Sequence, residues 1–418
     1  MKSHAVNRVE QLLREIENSD HLQVNTVVLN SVMSAWVKSK KAAAVDRTTE
    51  LIETMEVSEG IQPDQVSYNT HLHSLSLHAN PWRPELVERA YAVLDRMDTA
   101  DRSGVRPNTF TYNLVMEVVC KTNASDAAAR AVALLNRLKK CKGAEPDTFT
   151  FNKALSAFST SDDENAAEKA EELLRNMDDS HKSGMLRKAR PDAASFATVI
   201  NAYSQSDRKD SAVRAQALFD EMKARSTNGE EHLRPTRVCY NSMIDCWGKS
   251  GEGTYGARQA ESLLQEMIET STTPDLTTFN AVLNAWAKSG TRCCGNQAEK
   301  YLNRMWNQYN AGNKRLKPNR ISYNTVRHVL HRQLLELKLI ILSSTAIRSL
   351  TRFPKANVLA KPSALYGSSA KWIYCTKQGT VKPVPTISVT RRYSTRVPFR
   401  AQPIPGHAAR RSPWPSLR

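Results

Sequence analysis

The hydrophobic positions of this chain recur at helical spacing in many short stretches. Between Val6 and Ile16, apolar residues fall on one face of a helix and charged residues fall on the other. The same pattern returns at residues 167–177 and 258–267, where it ends in a Met and follows another apolar stretch. Because polar segments and prolines separate these stretches, the pattern predicts pairs of short helices and an all-α fold.

A short polar phrase opens the first helix of each predicted pair. It consists of Pro, then Asp or Asn, three further residues, an aromatic residue and Asn. In some copies a position is replaced, for example by Thr236 in place of Asp or by Ala197 in place of Asn. The Asn positions are 39 to 45 residues apart, a period typical of a solenoid of stacked helix pairs. The copies begin at Val24, Pro63, Pro107, Pro146, Pro191, Pro235, Pro274 and Pro318.

The repeats divide the chain into three parts. Residues 1–25 fit the second helix of a degenerate or truncated repeat, and residues 26–336 fit the array itself. No second helix is predicted after the last Asn, and residues 343–418 contain nine of the 18 prolines. We expect residues 337–418 to be a disordered basic tail, or a segment outside the native reading frame, because they cannot bury enough surface to offset the entropy of ordering.

The positive charge of the chain lies mostly in this tail. The whole chain has a formal net charge of +17, but residues 337–418 hold 15 of the 59 Lys and Arg residues and no Asp or Glu. The preceding residues contain 44 basic and 42 acidic side chains, a net charge of +2. Binding of the array to a nucleic acid must therefore depend on where its basic residues lie, since their total is almost balanced.

The sequence contains no recognisable catalytic or metal-binding motif. The seven Cys residues form no CxxC pair and no Cys/His cluster with zinc spacing, so free thiols and no cofactor are expected. Without a deaminase signature, an acidic nuclease cluster or a phosphate-binding Gly loop, an enzyme is the weakest functional interpretation. The most apolar run, residues 334–347, is too short and too charged to span a membrane, and residues 1–20 do not fit a signal peptide.

The repeated phrase resembles the pentatricopeptide repeat, whose consensus has the same Thr-Tyr-Asn opening, a second helix that ends in Met and a closing Pro-Asp. The resemblance covers residues 24–330. It implies a right-handed α-solenoid superhelix of antiparallel helix-turn-helix repeats that binds single-stranded RNA, one base per repeat. It also implies a monomer without membrane contact that acts in RNA processing, stability or translation in a mitochondrion or plastid, with other RNA-processing proteins as further partners.

In this family, two side chains of each repeat select one base: the residue after the aromatic position and the last residue of the repeat. A short amide beside a carboxylate or a second amide can bind the Watson–Crick edge of a base. The matching pairs are Asn30 with Asp64, Asn69 with Asn108, Asn113 with Asp147, Asn152 with Asp192, Asn241 with Asp275, and Asn280 with Asn319. Asn with Asp resembles the family's uracil pair and Asn with Asn its pyrimidine pair, whereas Ala197 with Thr236 leaves base selection open. From its 5′ end, the implied target is uracil, pyrimidine, uracil, uracil, any base, uracil, pyrimidine.

Two further rows of residues accompany these pairs. The residues that match the family's apolar position, which wedges between successive bases, are Val27, Val66, Phe110, Phe149, Val238 and Ile321. Basic residues stand eight positions after five of the eight Asn positions, and two helical turns place them near the same edge, where they can neutralise phosphates. They are Lys38, Lys121, Lys249, Lys288 and Arg332.

Each row also has an interpretation that requires no RNA. The Asn can satisfy backbone amides at a helix start, and the Lys can lie favourably at a helix C-terminus. Trp36, Trp247 and Trp286 share one position of the first helices and are expected to pack in the core. The alternative function is a protein-interaction scaffold of the tetratricopeptide kind, although the Trp-Leu-Gly-Tyr pattern of that family is absent. The joint recurrence of Asn, Asp or Asn, and Lys favours RNA as the partner.

Overall fold

First and second helices alternate along the chain in a computed structural model of the protein. The structure describes residues 2–350 except 20, 59, 101–104, 123–124, 142 and 292, and for residues 2–5 and 336–350 it describes the helical backbone alone. Even-numbered helices are the first helices of the repeats and odd-numbered helices are second helices. They are α1 (Lys2–Glu17), α2 (Thr26–Ser39), α3 (Ala44–Val57), α4 (Gln65–His78), α5 (Glu85–Thr99), α6 (Thr109–Thr122), α7 (Ala127–Lys140), α8 (Thr148–Phe158), α9 (Ala166–Lys182), α10 (Ala193–Gln205), α11 (Ser211–Thr227), α12 (Arg237–Lys249), α13 (Thr254–Glu269), α14 (Leu276–Lys288), α15 (Cys294–Asn310) and α16 (Arg320–Leu350).

The repeats stack through their first helices. Each first helix from α2 to α14 contacts the first helix of the next repeat, and each second helix contacts the first helices that flank it in the chain. Two short 3-10 turns, Glu231–Leu233 and Lys314–Leu316, complete the secondary structure of the described residues, which contain no strand. The all-α solenoid of helix pairs is therefore confirmed, and the hand of its superhelix stays a prediction.

Side chains at the repeat openings fix where the first helices begin. Asp64, Asp147, Asp192 and Asp275 are N-caps in extended backbone conformation, and each accepts a hydrogen bond from the backbone N–H of the third helical residue. The hydroxyl of that third residue, a Ser or Thr, accepts a hydrogen bond from the N–H of the cap, which completes a capping box. Thr236 has a similar backbone before α12 but forms no side-chain cap hydrogen bond.

The core lies between the first and second helices. Buried side chains there include an aromatic residue at six of the repeat openings and the Met near the end of most second helices. The buried aromatic residues are Tyr68, Tyr112, Phe151, Phe196, Tyr240 and Phe279. Trp247 and Trp286 are buried as predicted, whereas Trp36 is half-buried and its indole N–H donates to Oε1 of Glu10 at 2.6 Å.

Ion pairs connect second helices of neighbouring repeats. Arg225 of α11 donates to Asp178 of α9 at 2.8 Å, and both side chains are largely buried. Arg137 of α7 pairs with Asp95 of α5 at 2.7 Å, where both partners are more exposed. Because solvent screens exposed pairs, each contributes only about 0–1 kcal/mol to stability, and the apolar core holds the repeats together.

The end of the array differs from the predicted boundary. The predicted array ends at residue 336, but α16 continues to Leu350, so residues 337–350 have a helical backbone in place of the expected disorder. The run from residue 334 to 341 consists of Leu, Glu, Lys and Ile, most of which favour helix, and no Pro or Gly interrupts it. The rest of the predicted tail, residues 351–418, lies outside the described residues.

Candidate nucleic-acid interface

In two of the predicted pairs, the Asn and the Asp come from neighbouring repeats and are hydrogen-bonded where their first helices stack. Asn30 in α2 donates through Nδ2 to Oδ1 of Asp64, the N-cap of α4, at 3.1 Å. Asn152 in α8 donates in the same way to Asp192, the N-cap of α10, at 3.2 Å. The structure therefore brings together amides and carboxylates that are 34 and 40 residues apart in the sequence.

A hydroxyl group from the third residue of the following first helix joins most of these junctions. Ser67 donates to Oδ1 of Asn30 at 2.7 Å and lies 2.8 Å from Oδ1 of Asp64. The equivalent bonds join Thr111 to Asn69 at 2.8 Å, Ser195 to Asn152 at 2.6 Å, Thr278 to Asn241 at 2.7 Å and Ser322 to Asn280 at 2.7 Å. The hydroxyl residues are fully buried, whereas the Asn side chains that they contact are half-buried.

Hydrogen bonds keep two of the carboxylates ionised. Burial raises the pKa of the Asp64 carboxyl, but hydrogen bonds from the backbone N–H of Ser67 and the side-chain amide of Asn30 outweigh burial and hold that pKa below its ordinary value. Burial also raises the pKa of the Asp275 carboxyl, but the hydrogen bond from the backbone N–H of Thr278 and the nearby Arg237 together hold that pKa below its ordinary value. Both junctions therefore present a charged acceptor at neutral pH.

Asn113 differs from the other asparagines of the row. Its side chain is buried, and its Oδ1 has no hydrogen-bond partner in the described part of the chain. The nearby Thr150 hydroxyl lies 2.7 Å from Oδ1 of Asp147 and makes no hydrogen bond to Asn113. This junction contains the predicted pair without the network that holds the others.

The junction between α10 and α12 has none of the polar side chains of the network. Ala197 occupies the Asn position and is buried, and Thr236 occupies the Asp position. Cys239 stands where the hydroxyl residue is expected, and its Sγ lies 3.5 Å from the carbonyl oxygen of Ala193. The predicted loss of base selection in this repeat corresponds to a junction without an amide or a carboxylate.

The predicted apolar row lies on the surface. Its members Val27, Val66, Phe110, Phe149, Val238 and Ile321 are 51% to 71% exposed. Phe149 is 51% exposed, although Phe151, two residues later in the same helix, is completely buried. Large apolar side chains repeated at one exposed position of successive first helices are typical of a binding surface.

The predicted basic row has two kinds of member. Lys121 pairs with Glu117 at 2.7 Å and also donates to the carbonyl oxygen of Ser76. Lys249 pairs with Asp245 at 2.6 Å. The other two lysines, Lys38 and Lys288, are exposed at the ends of α2 and α14. Neither forms an ion pair with a residue that the structure describes. Arg332 donates to the carbonyl oxygen of Ala287 at 2.7 Å.

The hydroxyl residues and the acidic partners of the lysines are not among the residues predicted from the sequence. Glu117 and Asp245 precede their lysines by four residues, a helical spacing that is visible in the sequence. The Ser or Thr after each cap is visible as a capping box. Its bond to the Asn of the preceding repeat depends on how two helices stack, which local spacing cannot reveal.

Metal-binding clusters and membrane-spanning helices are not found in the part of the chain that the structure describes. No group of three or more His, Cys, Asp or Glu side chains there could hold a metal ion. None of its helices combines the length and the apolar character that crossing a membrane requires.

Comparisons with known proteins agree with the repeat assignment. The model of the pentatricopeptide repeat domain family matches residues 51–122, which span α4, α5 and α6 with part of α3. The repeat assignment is therefore supported over residues 51–122. No curated protein matches the chain in sequence.

Solved structures with this kind of repeat are similar to the chain over much of its length. The crystal structure of the pentatricopeptide repeat protein PPR10 in complex with an 18-nucleotide psaJ RNA element has 19% identity and a TM-score of 0.44, and covers 78% of this chain and 46% of that chain. The structure of PPR10 from maize has 21% identity and a TM-score of 0.36, and covers 78% of this chain and 49% of that chain. The chain thus spans about half the length of these proteins.

Proposed function

We propose that the array binds single-stranded RNA, selects one base per repeat and prefers a uracil-rich pyrimidine sequence. The observation that carries the proposal is the recurring junction, in which a half-buried Asn amide meets the Asp or Asn cap of the next repeat. An exposed apolar side chain stands three residues before the Asn in most of these repeats. The match to the pentatricopeptide repeat domain family supports RNA as the ligand.

The chemistry of the Asn and Asp pair supports uracil. The pair offers an amide N–H donor beside a carboxylate acceptor. Uracil offers carbonyl acceptors beside its N3–H donor, whereas cytosine offers an N3 acceptor beside an amino donor. Where Asn108 or Asn319 replaces the carboxylate, the second amide can donate or accept, so both pyrimidines fit.

The exposed apolar row supports stacking of the bases between successive repeats. Stacking of a base on an apolar or aromatic side chain contributes about 1–3 kcal/mol, and it tolerates any base because every base has a flat face. Base-edge hydrogen bonds then add selectivity. Several repeats acting together are enough for affinity in the nanomolar range after the cost of ordering a flexible strand.

The basic row supports binding to phosphates mainly through Lys38 and Lys288. Glu117 and Asp245 offset the charges of Lys121 and Lys249 at 2.7 Å and 2.6 Å. We expect the two lysines without a carboxylate partner to contribute more to the salt dependence of binding.

A binding competition at fixed salt tests the proposal. Uracil-rich, cytosine-rich and adenine-rich single strands compete for the full chain, and fluorescence anisotropy measures binding. We expect the uracil-rich strand to bind at least about tenfold more tightly. Asn152→Ser with Asp192 retained should move the preference at the fourth nucleotide toward guanine, the base that the family pairs with a small hydroxyl residue and Asp.

A second arm tests the basic row. Lys38→Ala and Lys288→Ala should weaken binding of all three strands alike and flatten the salt dependence. Lys300→Ala is the matched control, because Lys300 is an exposed lysine on the second helix α15 and pairs with Glu261. Equal affinity for the three strands would mean that the array binds RNA without base selection. Absence of RNA binding would favour the alternative function, a protein-interaction scaffold.

The family resemblance points to organellar RNA as the target, in a mitochondrion or a plastid. The function proposed on that basis is binding in support of RNA processing, stability or translation, without catalysis by the array. Imaging of a fluorescent fusion of the complete gene product tests the location, and a uniform cytosolic signal would contradict it.

A further inference from the structure

We propose that the buried hydroxyl residue at the third position of a first helix sets the base selectivity of the preceding repeat. This inference rests on the proposed function. The hydroxyl residue is a positioning residue, because it contacts the Asn that would select the base and has no contact with the base itself. The residues assigned to this role are Ser67, Thr111, Ser195, Thr278 and Ser322.

The Asn amide oxygen is the nearer acceptor for the hydroxyl in each of these junctions. A Ser or Thr hydroxyl has a single proton to donate, and its oxygen already accepts the N–H of the cap residue. Two acceptors compete for that proton, namely the Asn amide oxygen and the side-chain oxygen of the cap. The distance to the Asn is the shorter one every time, for example 2.6 Å from Ser195 to Asn152 and 3.0 Å to Asp192. The other four junctions follow the same order.

This bond fixes which way the amide faces. With its oxygen on the hydroxyl of Ser195, Asn152 directs its nitrogen at Oδ1 of Asp192. The reversed amide would place its oxygen against a carboxylate oxygen, so that two acceptors would face each other, and would leave the hydroxyl without its amide acceptor. The network therefore holds an N–H donor in place for the base, and without it the amide could turn and present its oxygen. A turned amide fits cytosine or adenine, so loss of the hydroxyl would lower the selectivity for uracil.

Capping alone does not account for the hydroxyl. Asn25 caps α2 by accepting the N–H of Val28 at 2.9 Å, although Val28 has no hydroxyl. The position also changes with the Asn of the preceding repeat. Where that residue is Ala197, the third residue is Cys239. A Ser or Thr holds this position in the repeat after each of Asn30, Asn69, Asn113, Asn152, Asn241 and Asn280.

Two matched substitutions in the full chain separate positioning from capping. Ser195→Ala removes half of a capping box and the bond to Asn152. Thr150→Ala removes half of a capping box, but Thr150 has no bond to Asn113. RNA strands with the predicted base order carry uracil or cytosine at the third, fourth or sixth nucleotide, and anisotropy competition gives the preference at each.

We expect Ser195→Ala to lower the preference for uracil at the fourth nucleotide about tenfold and to leave the sixth nucleotide, assigned to Asn241, unchanged. Ser195→Thr should restore the preference. Thr150→Ala should lower the melting temperature by a similar amount but leave the third nucleotide unchanged. An unchanged preference in Ser195→Ala, or equal losses in both variants, would overturn the proposal.

A measurement without RNA keeps this proposal distinct from the proposed function. In protein labelled selectively at Asn, the side-chain amide signal of Asn152 should shift and exchange faster with solvent in Ser195→Ala, and should recover in Ser195→Thr. If the signal does not change, the positioning role is wrong whatever the protein binds. If it changes while the wild type shows no base preference, the proposed function fails and the hydroxyl has a structural role only.

Discussion

The junction between α8 and α10 and the junction between α10 and α12 have a similar backbone and different side chains. The first contains Asn152, Asp192 and Ser195 in a closed hydrogen-bond network. In the second, Ala197 and Cys239 are buried, and the side chain of the cap Thr236 accepts no backbone N–H of the helix. Both caps are in extended conformation, and both pairs of first helices are in contact.

This difference indicates that the repeats can stack without the polar network. Buried polar groups are costly unless they are hydrogen-bonded, and an apolar junction avoids that cost altogether. A network that recurs where stacking does not require it is better explained by a ligand than by the fold.

The largest effect on stability should come from the buried aromatic residue that both junctions contain. Phe196 and Tyr240 are buried aromatic residues at the same position of α10 and α12. Because each fills the core between two helix layers, replacement by Ala should lower the free energy of unfolding by about 3–5 kcal/mol in either repeat. Urea denaturation followed by circular dichroism measures this. A loss at Phe196 alone would mean that the degenerate junction does not carry the stacking.

The next prediction transfers the network to the degenerate junction. The triple substitution Ala197→Asn, Thr236→Asp and Cys239→Ser reproduces the side chains of the junction between α8 and α10. It should create a preference for uracil at the fifth nucleotide of about tenfold, since a matched pair of hydrogen bonds contributes about 1–3 kcal/mol. Competition between strands that differ only at that nucleotide measures it. The double substitution without Cys239→Ser is the control and should gain less.

A smaller effect should separate the two helix caps. Asp192 accepts the N–H of Ser195 at 2.9 Å, so Asp192→Ala should lower the free energy of unfolding by about 1 kcal/mol. Thr236 makes no such bond. Thr236→Ala should therefore change the free energy of unfolding by no more than a few tenths of a kcal/mol. Thermal melting of the two variants side by side measures this difference in stability. Equal losses would show that Thr236 caps its helix in solution.

Much of the fold could be predicted from the sequence because each unit carries the same opening and closing residues. Pro, Asp and the aromatic residue mark where a helix begins and which residue enters the core, and all three act locally. The extension of α16 is not predicted from the sequence. The prolines of the tail lead to an expectation of disorder that also includes the residues before them. The burial of Asn113 and the bond from Ser195 to Asn152 depend on the fit of two helices, which no local spacing reveals.

The last prediction concerns pH and should show the smallest change in selectivity. Hydrogen bonds hold the pKa values of Asp64 and Asp275 below the ordinary value of about 4, so both stay ionised between pH 7.5 and 5.5. Their contribution to stability is present above the pKa of the unfolded chain and is lost only as pH falls through the lower folded values. The preference for uracil at the first and sixth nucleotides should therefore be the same at both pH values.

His71 provides the internal contrast, because burial lowers its pKa to about 4 in the folded chain. Its ring is buried in α4 and lies 2.9 Å from the Thr48 hydroxyl. The unfolded chain takes up this proton near pH 6.5 and the folded chain does not, so stability should fall between pH 7.5 and 5.5 while selectivity stays constant. Thermal melting measures the stability, and competition between RNA strands on the same samples measures the selectivity. Loss of uracil preference at pH 5.5 in protein that is still folded would contradict an ionised carboxylate at these junctions.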